Sequence, residues 1–320
     1  VSTPLQTGEA CRGHAVPNGS AASGDWRRPL RDGLAALPVE RLRRLRSLQP
    51  SGQAALRADQ EGPPLLDLAS NDYLGLSRHP AIRAAAAAEL EASGLGAGAS
   101  RLVCGSRPVH HALEAALAAW LGREQVLLFP SGFQANLAAV AALSDRHSLV
   151  LADRLIHHSL LAGVRASGAR LQRFAHNDPA DLQCRLQAAR RDAPGRRLLV
   201  LCESLYSMEG SSAPLAALSA LCAGHQAALL VDEAHALGVI GPGGRGLAHG
   251  LAEVALLSGT FGKAFGSGGA FLAGDTLVID WLLQHSGPFR YTTALAPPLA
   301  ADALAALQWL QQRELDGDEP

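Results

Sequence analysis

The sequence predicts an α/β fold on a mainly parallel sheet, and three observations carry that prediction. Short apolar runs recur at Gln125–Phe129, Ser148–Ala152, Leu198–Cys202, Ala227–Val231 and Val254–Ser258. Helical patterns lie between them, at about 133–143, 158–167, 179–190 and 214–225, and alternation of this kind gives βα units whose strands are buried on both faces. Apolar residues make up 48% of the chain and charged ones 18%, enough to bury a large core and to exclude wholesale disorder.

A chain of 320 residues has room for about two domains, or one large α/β unit. Residues 1–30 begin as a Gly-, Ser-, Ala- and Pro-rich leader expected to be mobile. An N-terminal segment over 31–75 follows, with leucines at helical spacing and an arginine face over 31–47, then Pro63-Pro64 introducing the strand-like LLDLAS. The large domain is expected over 76–296. Its first helix, at 80–92, has Pro at the first position and Gly94 just past the end, and a second amphipathic helix stands at about 108–121. Residues 297–320 open with a long helix, Pro297–Leu315.

Charge and cysteine usage narrow the function. With 28 basic against 29 acidic side chains, the net charge of −1 argues against a protein that coats nucleic acid. Five cysteines, at 11, 104, 184, 202 and 222, form no CxxC pair, so neither a disulfide framework nor a metal site is expected, and a reducing, cytoplasmic setting is. The N-terminal stretch lacks the apolar core of a signal peptide. The longest uncharged stretch, 125–144, is broken by Pro130, Ser131, Gly132, Gln134 and Asn136, so no membrane span is expected.

Several motifs mislead. Gly94-Leu-Gly-Ala-Gly-Ala99 imitates a dinucleotide fingerprint, but a helix precedes it where a strand is required. Asp232-Glu-Ala-His235 spells a helicase box in a chain without a GxxxxGK[ST] loop, and no GxSxG elbow exists. The pairs His110-His111 and His157-His158 are adjacent, so their side chains diverge and make poor joint metal ligands.

The informative residues are Asp232 and Lys263. Asp232 ends a buried run, at the carboxyl end of a strand, where α/β sheets hold ligands. Taken alone it reads more often as a turn or cap residue. Lys263 lies just beyond another apolar run, among glycines at 259, 262 and 266 that let backbone approach a ligand. A lysine able to form a Schiff base and an aspartate able to keep a pyridinium nitrogen protonated are what pyridoxal phosphate chemistry requires. Ser131-Gly132-Phe133 follows a strand and opens a helix, so its N–H groups could bind a phosphate; an ordinary serine-capped turn is the competing reading. Thr260 and the hydroxyls of Tyr291-Thr-Thr293 could add donors.

Taken together, SNDYLGL (70–76), HHALEAALAAWLG (110–122), FPSGFQAN (129–136), ADRLIHHSLLAG (152–163), RFAHND (173–178), ESLYSMEGSSAPL (203–215), VDEAHALGVIGPGGRG (231–246), TFGKAFG (260–266) and YTTALAPP (291–298) resemble the α-oxoamine synthases, pyridoxal-phosphate enzymes of the aspartate-aminotransferase fold (fold type I). The segments span about residues 30–310, in order. The resemblance implies that Lys263 carries the cofactor and later acts as acid and base, that Asp232 pairs with the ring nitrogen, and that His157 stacks on the ring and faces substrate. It implies that Ser207 and His235 contact the ring hydroxyl oxygen. Gly132, Phe133 and Thr260 would hold the phosphate, with Thr292 or Thr293 reaching it from the partner of a homodimer. Asn71 and Arg43 would contact substrate.

In the departure of its flanking residues, Ile156 and His158, the stacking histidine differs from the usual family signature. The implied reaction is a decarboxylative condensation of an amino acid with an acyl thioester. RFAHND and SNDYLGL favour L-alanine and a pimeloyl thioester, of coenzyme A or a carrier protein, although branches acting on glycine share most segments. Members of the family continue into a C-terminal domain that supplies a carboxylate-binding arginine. The sequence runs from Val1 to Pro320, and the resemblance leads to the expectation that this domain is missing, with a truncated enzyme and a non-catalytic cofactor-binding remnant both open.

Overall fold

The structure is a computed structural model that describes residues 25–51, 55–57 and 62–317. The chain divides into two compact units, 1–51 with 56–65, and 52–55 with 66–320. The N-terminal unit holds helix α1 (Arg28–Ala35), a 3-10 turn at Val39–Arg41, and strand β1 (Gln49–Pro50), which pairs antiparallel with β2 (Ala55–Arg57). The expected helix over 31–47 stops at Ala35. Pro38 explains the difference, since proline lacks the amide donor and pushes the residue before it out of helical dihedrals. Most of the expected leader lies outside the described residues, but Arg28–Leu30 belong to α1.

The main run of the large unit begins at Leu66, the second residue of the short strand β3 (Leu65–Leu66), and continues through helices α2 (Pro80–Ser93) and α3 (Pro108–Leu121). Then come β4 (Gln125–Phe129), α4 (Gly132–Leu143), β5 (Leu149–Asp153), α5 (His158–Ser167), β6 (Arg170–Phe174) and α6 (Pro179–Asp192). The chain closes with β7 (Leu198–Glu203), α7 (Leu215–Gly224), β8 (Ala228–Asp232), β9 (Leu256–Thr260), β10 (Ala270–Gly274), α8 (Thr276–His285), α9 (Gly287–Arg290) and α10 (Pro297–Leu315). Prolines open α2, α3, α6 and α10, where their missing N–H costs nothing.

Seven strands form one sheet in the order β4-β10-β9-β8-β7-β5-β6. The neighbours from β9 to β6 run parallel, and β10 lies antiparallel between β4 and β9. Both faces are buried, because side chains alternate across each strand. Val126, Leu128, Leu198, Val200, Leu229 and Val231 pack with α3, α6, α7 and α10 on one face. Leu127, Phe129, Leu199, Leu201 and Leu230 pack with α4, α5, α8 and α9 on the other. Strand β6 and the strand–helix pair β10–α8 escape the sequence reading; β6 is an edge strand and three of its residues, Arg170, Gln172 and Arg173, are polar, whereas β10 is a short apolar strand buried along its whole length. Among the described residues, no helix is long and apolar enough to cross a membrane.

Candidate active site

At the carboxyl ends of the central strands lies a cleft of about 200 Å³, lined by Gly132, Phe133, Asn136, His157, Ser159, Glu203, Asp232, Ala234, His235, Ser258, Gly259, Thr260 and Lys263. Asp232 is the last residue of β8, buried to 5% exposure, and Lys263 stands three residues beyond the end of β9. The strand ends therefore bring to one cavity the carboxylate and amine singled out in the sequence.

Two hydrogen-bonded chains organise this cleft. In the first, Asn136 Nδ2 donates to Asp232 Oδ2 at 2.7 Å and to Ser159 Oγ at 2.9 Å. Ser159 Oγ lies 2.7 Å from His157 Nδ1, which also accepts the Ser159 N–H. Ala234 N–H donates to the other Asp232 oxygen at 2.9 Å. With its Nδ1 engaged by Ser159, His157 is held in orientation as the cap of α5. In the second chain, Lys263 Nζ lies 2.5 Å from His235 Nε2, His235 Nδ1 lies 2.7 Å from the Tyr73 hydroxyl, and that hydroxyl donates to Asn71 Oδ1 at 3.1 Å.

Burial sets the electrostatics. It lowers the Lys263 pKa, against the pull of Asp232 and Glu203, so the amine sheds its proton more readily than a surface lysine. Burial and the nearby Lys263 charge push His235 down to about 4, which leaves it a neutral acceptor for the Lys263 N–H. Burial beside Asp232 pushes Glu203 up to about 8.

The phosphate cradle takes the form expected of a strand-to-helix turn. Ser131 caps α4, its Oγ accepting from Gln134 N–H at 3.3 Å. The N–H groups of Gly132 and Phe133 belong to the first helical turn, which has no intrahelical partners for them and carries the positive end of the helix dipole. Thr260 closes the opposite wall, where a side chain on Gly132 would meet its Oγ1 at 3.6 Å. The donor set, a helix terminus for a dianion, a buried carboxylate for a ring nitrogen, an amine for an aldehyde carbon and an imidazole along the wall, fits pyridoxal phosphate. Asn136 Oδ1, buried without a partner, marks the cavity as polar at its base.

Gly132, Phe133, His157, Asp232, His235, Thr260 and Lys263 are thus gathered into one cleft. Ser207 is not among its lining residues; it is exposed on the loop after β7, which the Tyr206 N–H to Ser211 carbonyl bond folds back. Thr292 and Thr293 line a separate depression with Ser100, Leu102, Val103, Arg290 and Tyr291. Asn71 is exposed and reaches the cleft only through Tyr73 and His235. Arg43 is exposed and belongs to the N-terminal unit.

Sequence reasoning missed Asn136, Ser159, Glu203 and Tyr73. The signal for Glu203 was the one that exposed Asp232, a carboxylate ending a buried apolar run. Asn136 was visible as one of two polar residues on a mostly apolar helix, and such groups are hydrogen-bonded when buried.

Class I and II aminotransferases match residues 63–316, nearly all of the large unit, and the chain belongs to that family. Within it, an 8-amino-7-oxononanoate synthase of Anaeromyxobacter sp. (strain K) is 47% identical over 279 residues, covering 86% of this chain and 69% of the relative. A serine palmitoyltransferase variant from S. paucimobilis, solved with a bound PLP–myriocin aldimine, superposes with a TM-score of 0.77 at 30% identity, covering 82% of this chain and 67% of that one. The 8-amino-7-oxononanoate synthase of Francisella tularensis superposes with a TM-score of 0.63 at 28% identity, over 76% of this chain and 68% of that one.

Proposed function

We propose that the protein is a pyridoxal-phosphate-dependent acyltransferase that condenses L-alanine with a pimeloyl thioester, releasing CO2 and the free thiol and giving 8-amino-7-oxononanoate for biotin synthesis. The observation that carries this reading is the convergence of Lys263 and Asp232, from adjacent strand ends, on one cleft that opens at a helix N-terminus. Strong identity to 8-amino-7-oxononanoate synthases supports the choice of substrate within the family.

When bound, the cofactor supplies an electron-withdrawing ring that takes up the electron pair released at the amino-acid Cα. The residues do the rest. Asp232, held by Asn136 and Ala234, keeps a proton at the ring nitrogen. Lys263, with its lowered proton affinity, takes and returns the proton at Cα. The first turn of α4 and Thr260 would hold the phosphate, and His157, fixed by Ser159, would lie along the ring. His235 aligns the Lys263 amine through its Nε2 and would face the ring oxygen of a bound cofactor.

Ser207 would join it there through a rearrangement of its loop. Thr292 or Thr293 would serve the site of a second copy, Asn71 and Arg43 would meet substrate, and the setting is cytoplasmic. The test is product formation from L-alanine and pimeloyl-CoA by the chain reconstituted with cofactor. Absorbance near ~420 nm with no product would overturn the acyltransferase reading and leave a cofactor-binding protein.

A further inference from the structure

Two carboxyl groups line the cleft, and the proposed function gives a task to Asp232 alone. Glu203 ends β7 as Asp232 ends β8, and the two are register partners in the parallel ladder. Alternation along each strand places both on the α4–α5 face, continuing Leu199 and Leu201 on one strand and Leu230 on the other. Both side chains are 5% exposed. Neighbouring buried carboxylates do not both ionise, and the one with more donors keeps the charge.

The donors are divided unequally. Asp232 receives Asn136 Nδ2 and the Ala234 N–H, whereas Glu203 has the backbone N–H of His157. The other charged or titratable groups near Glu203 are Lys263 after β9, which favours its ionisation, and Asp153 at the end of β5, which opposes it. His235 is neutral and bonded to Lys263, and the Tyr206 hydroxyl accepts from Glu203's own backbone N–H.

We propose that Glu203 stands in the cleft as an uncharged carboxylic acid, the hydrogen-bond donor to an anionic oxygen of the molecule bound there. The assignment deepens the reading of the cleft as a pyridoxal-phosphate site and rests on it for the identity of that molecule. The cleft then holds Asp232 with two hydrogen-bond donors, the Lys263 amine and one neutral acid. A buried carboxyl is desolvated at little cost when neutral, and its proton is available to an acceptor that a carboxylate would repel.

The test compares the wild type with Glu203→Gln, first without cofactor. Burial holds the folded-state pKa at about 8 against 4.5 for the free group. Over that interval the folded chain keeps a proton that the unfolded chain has shed. Wild-type stability therefore falls relative to the variant as pH rises from about 4.5 to about 8, by up to about tenfold in the folding equilibrium per pH unit, and levels off beyond. Parallel melting curves would overturn the proposal.

A second measurement compares the same two proteins by infrared: a carbonyl band of a protonated carboxyl that the wild type shows at about pH 7 and loses above about pH 9, and that Glu203→Gln lacks. Pyridoxal phosphate is then titrated into both proteins. The expected result is roughly tenfold weaker binding by the wild type above pH 8 and a smaller change in the variant. Equal pH dependence in the two would overturn the donor role while leaving the cofactor assignment intact. Failure of the wild type to bind the cofactor at any pH would instead overturn the proposed function, and with it the identity of the acceptor.

Discussion

Replacing Asn136 by alanine tests the network that joins Asp232 to His157. The substitution removes a 2.7 Å bond to a buried carboxylate and a 2.9 Å bond to the Ser159 hydroxyl. A bond to a charged group contributes about 1.5–3 kcal/mol and a neutral one about 1 kcal/mol. Against this, Asn136 Oδ1 is buried without a partner, and its removal returns about 1 kcal/mol. Alanine also favours the interior of α4 slightly over asparagine, by a few tenths of a kcal/mol.

The sum is a loss of about 2 kcal/mol, read as a lower urea midpoint with an unchanged slope in the cofactor-free chain. A double-mutant cycle with Asp232→Asn should give a coupling of about 1–2 kcal/mol, because Asp232 keeps only the Ala234 N–H once Asn136 is gone. A loss below about 0.5 kcal/mol, or additivity of the two substitutions, would refute the idea that Asn136 is what holds the Asp232 charge.

Other expectations follow from the same geometry. Lys263→Ala should abolish the borohydride-reducible link between cofactor and chain, and a reducible link persisting on that peptide by mass spectrometry would show that another amine does the work. His235 has a folded-state pKa of about 4, below the usual 6.5, so its unfolded form binds the proton first as pH falls. Its contribution to stability is whole above about 6.5 and is lost between about 6.5 and 4; a His235→Gln chain should show a shallower acid limb in thermal melts over that window, and identical limbs would count against the assignment. Gly266 sits at φ +66°, and a Cβ there would stand 2.2 Å from the Ser77 nitrogen. Gly266→Ala should therefore cost about 2–4 kcal/mol and disturb the Lys263 loop, seen as a lower melting temperature together with weaker cofactor binding; a neutral outcome would mean that the loop moves freely.

Much of the fold could be read from the chain because the strands are buried on both faces. Such strands are apolar without interruption, so β4, β5, β7 and β8 announced themselves and their ends marked where a ligand would sit. Asp232 and Lys263 were legible for that reason, one ending such a run and one just past another. The helix starting at Gly132 was legible from its serine cap and its place after β4.

Tertiary structure decided the rest. That Glu203 shares a cleft with Asp232 depends on β7 lying beside β8 in matched register, a pairing between residues far apart in sequence that no local pattern encodes. The bond from Asn136 to Asp232 and the chain from Lys263 through His235 to Tyr73 likewise join segments that only folding brings within reach. Local preference and burial pattern act over a few residues and are written in the chain. Proton affinities depend on which charges and donors surround a group once water has been excluded, and that is a property of the assembled cleft.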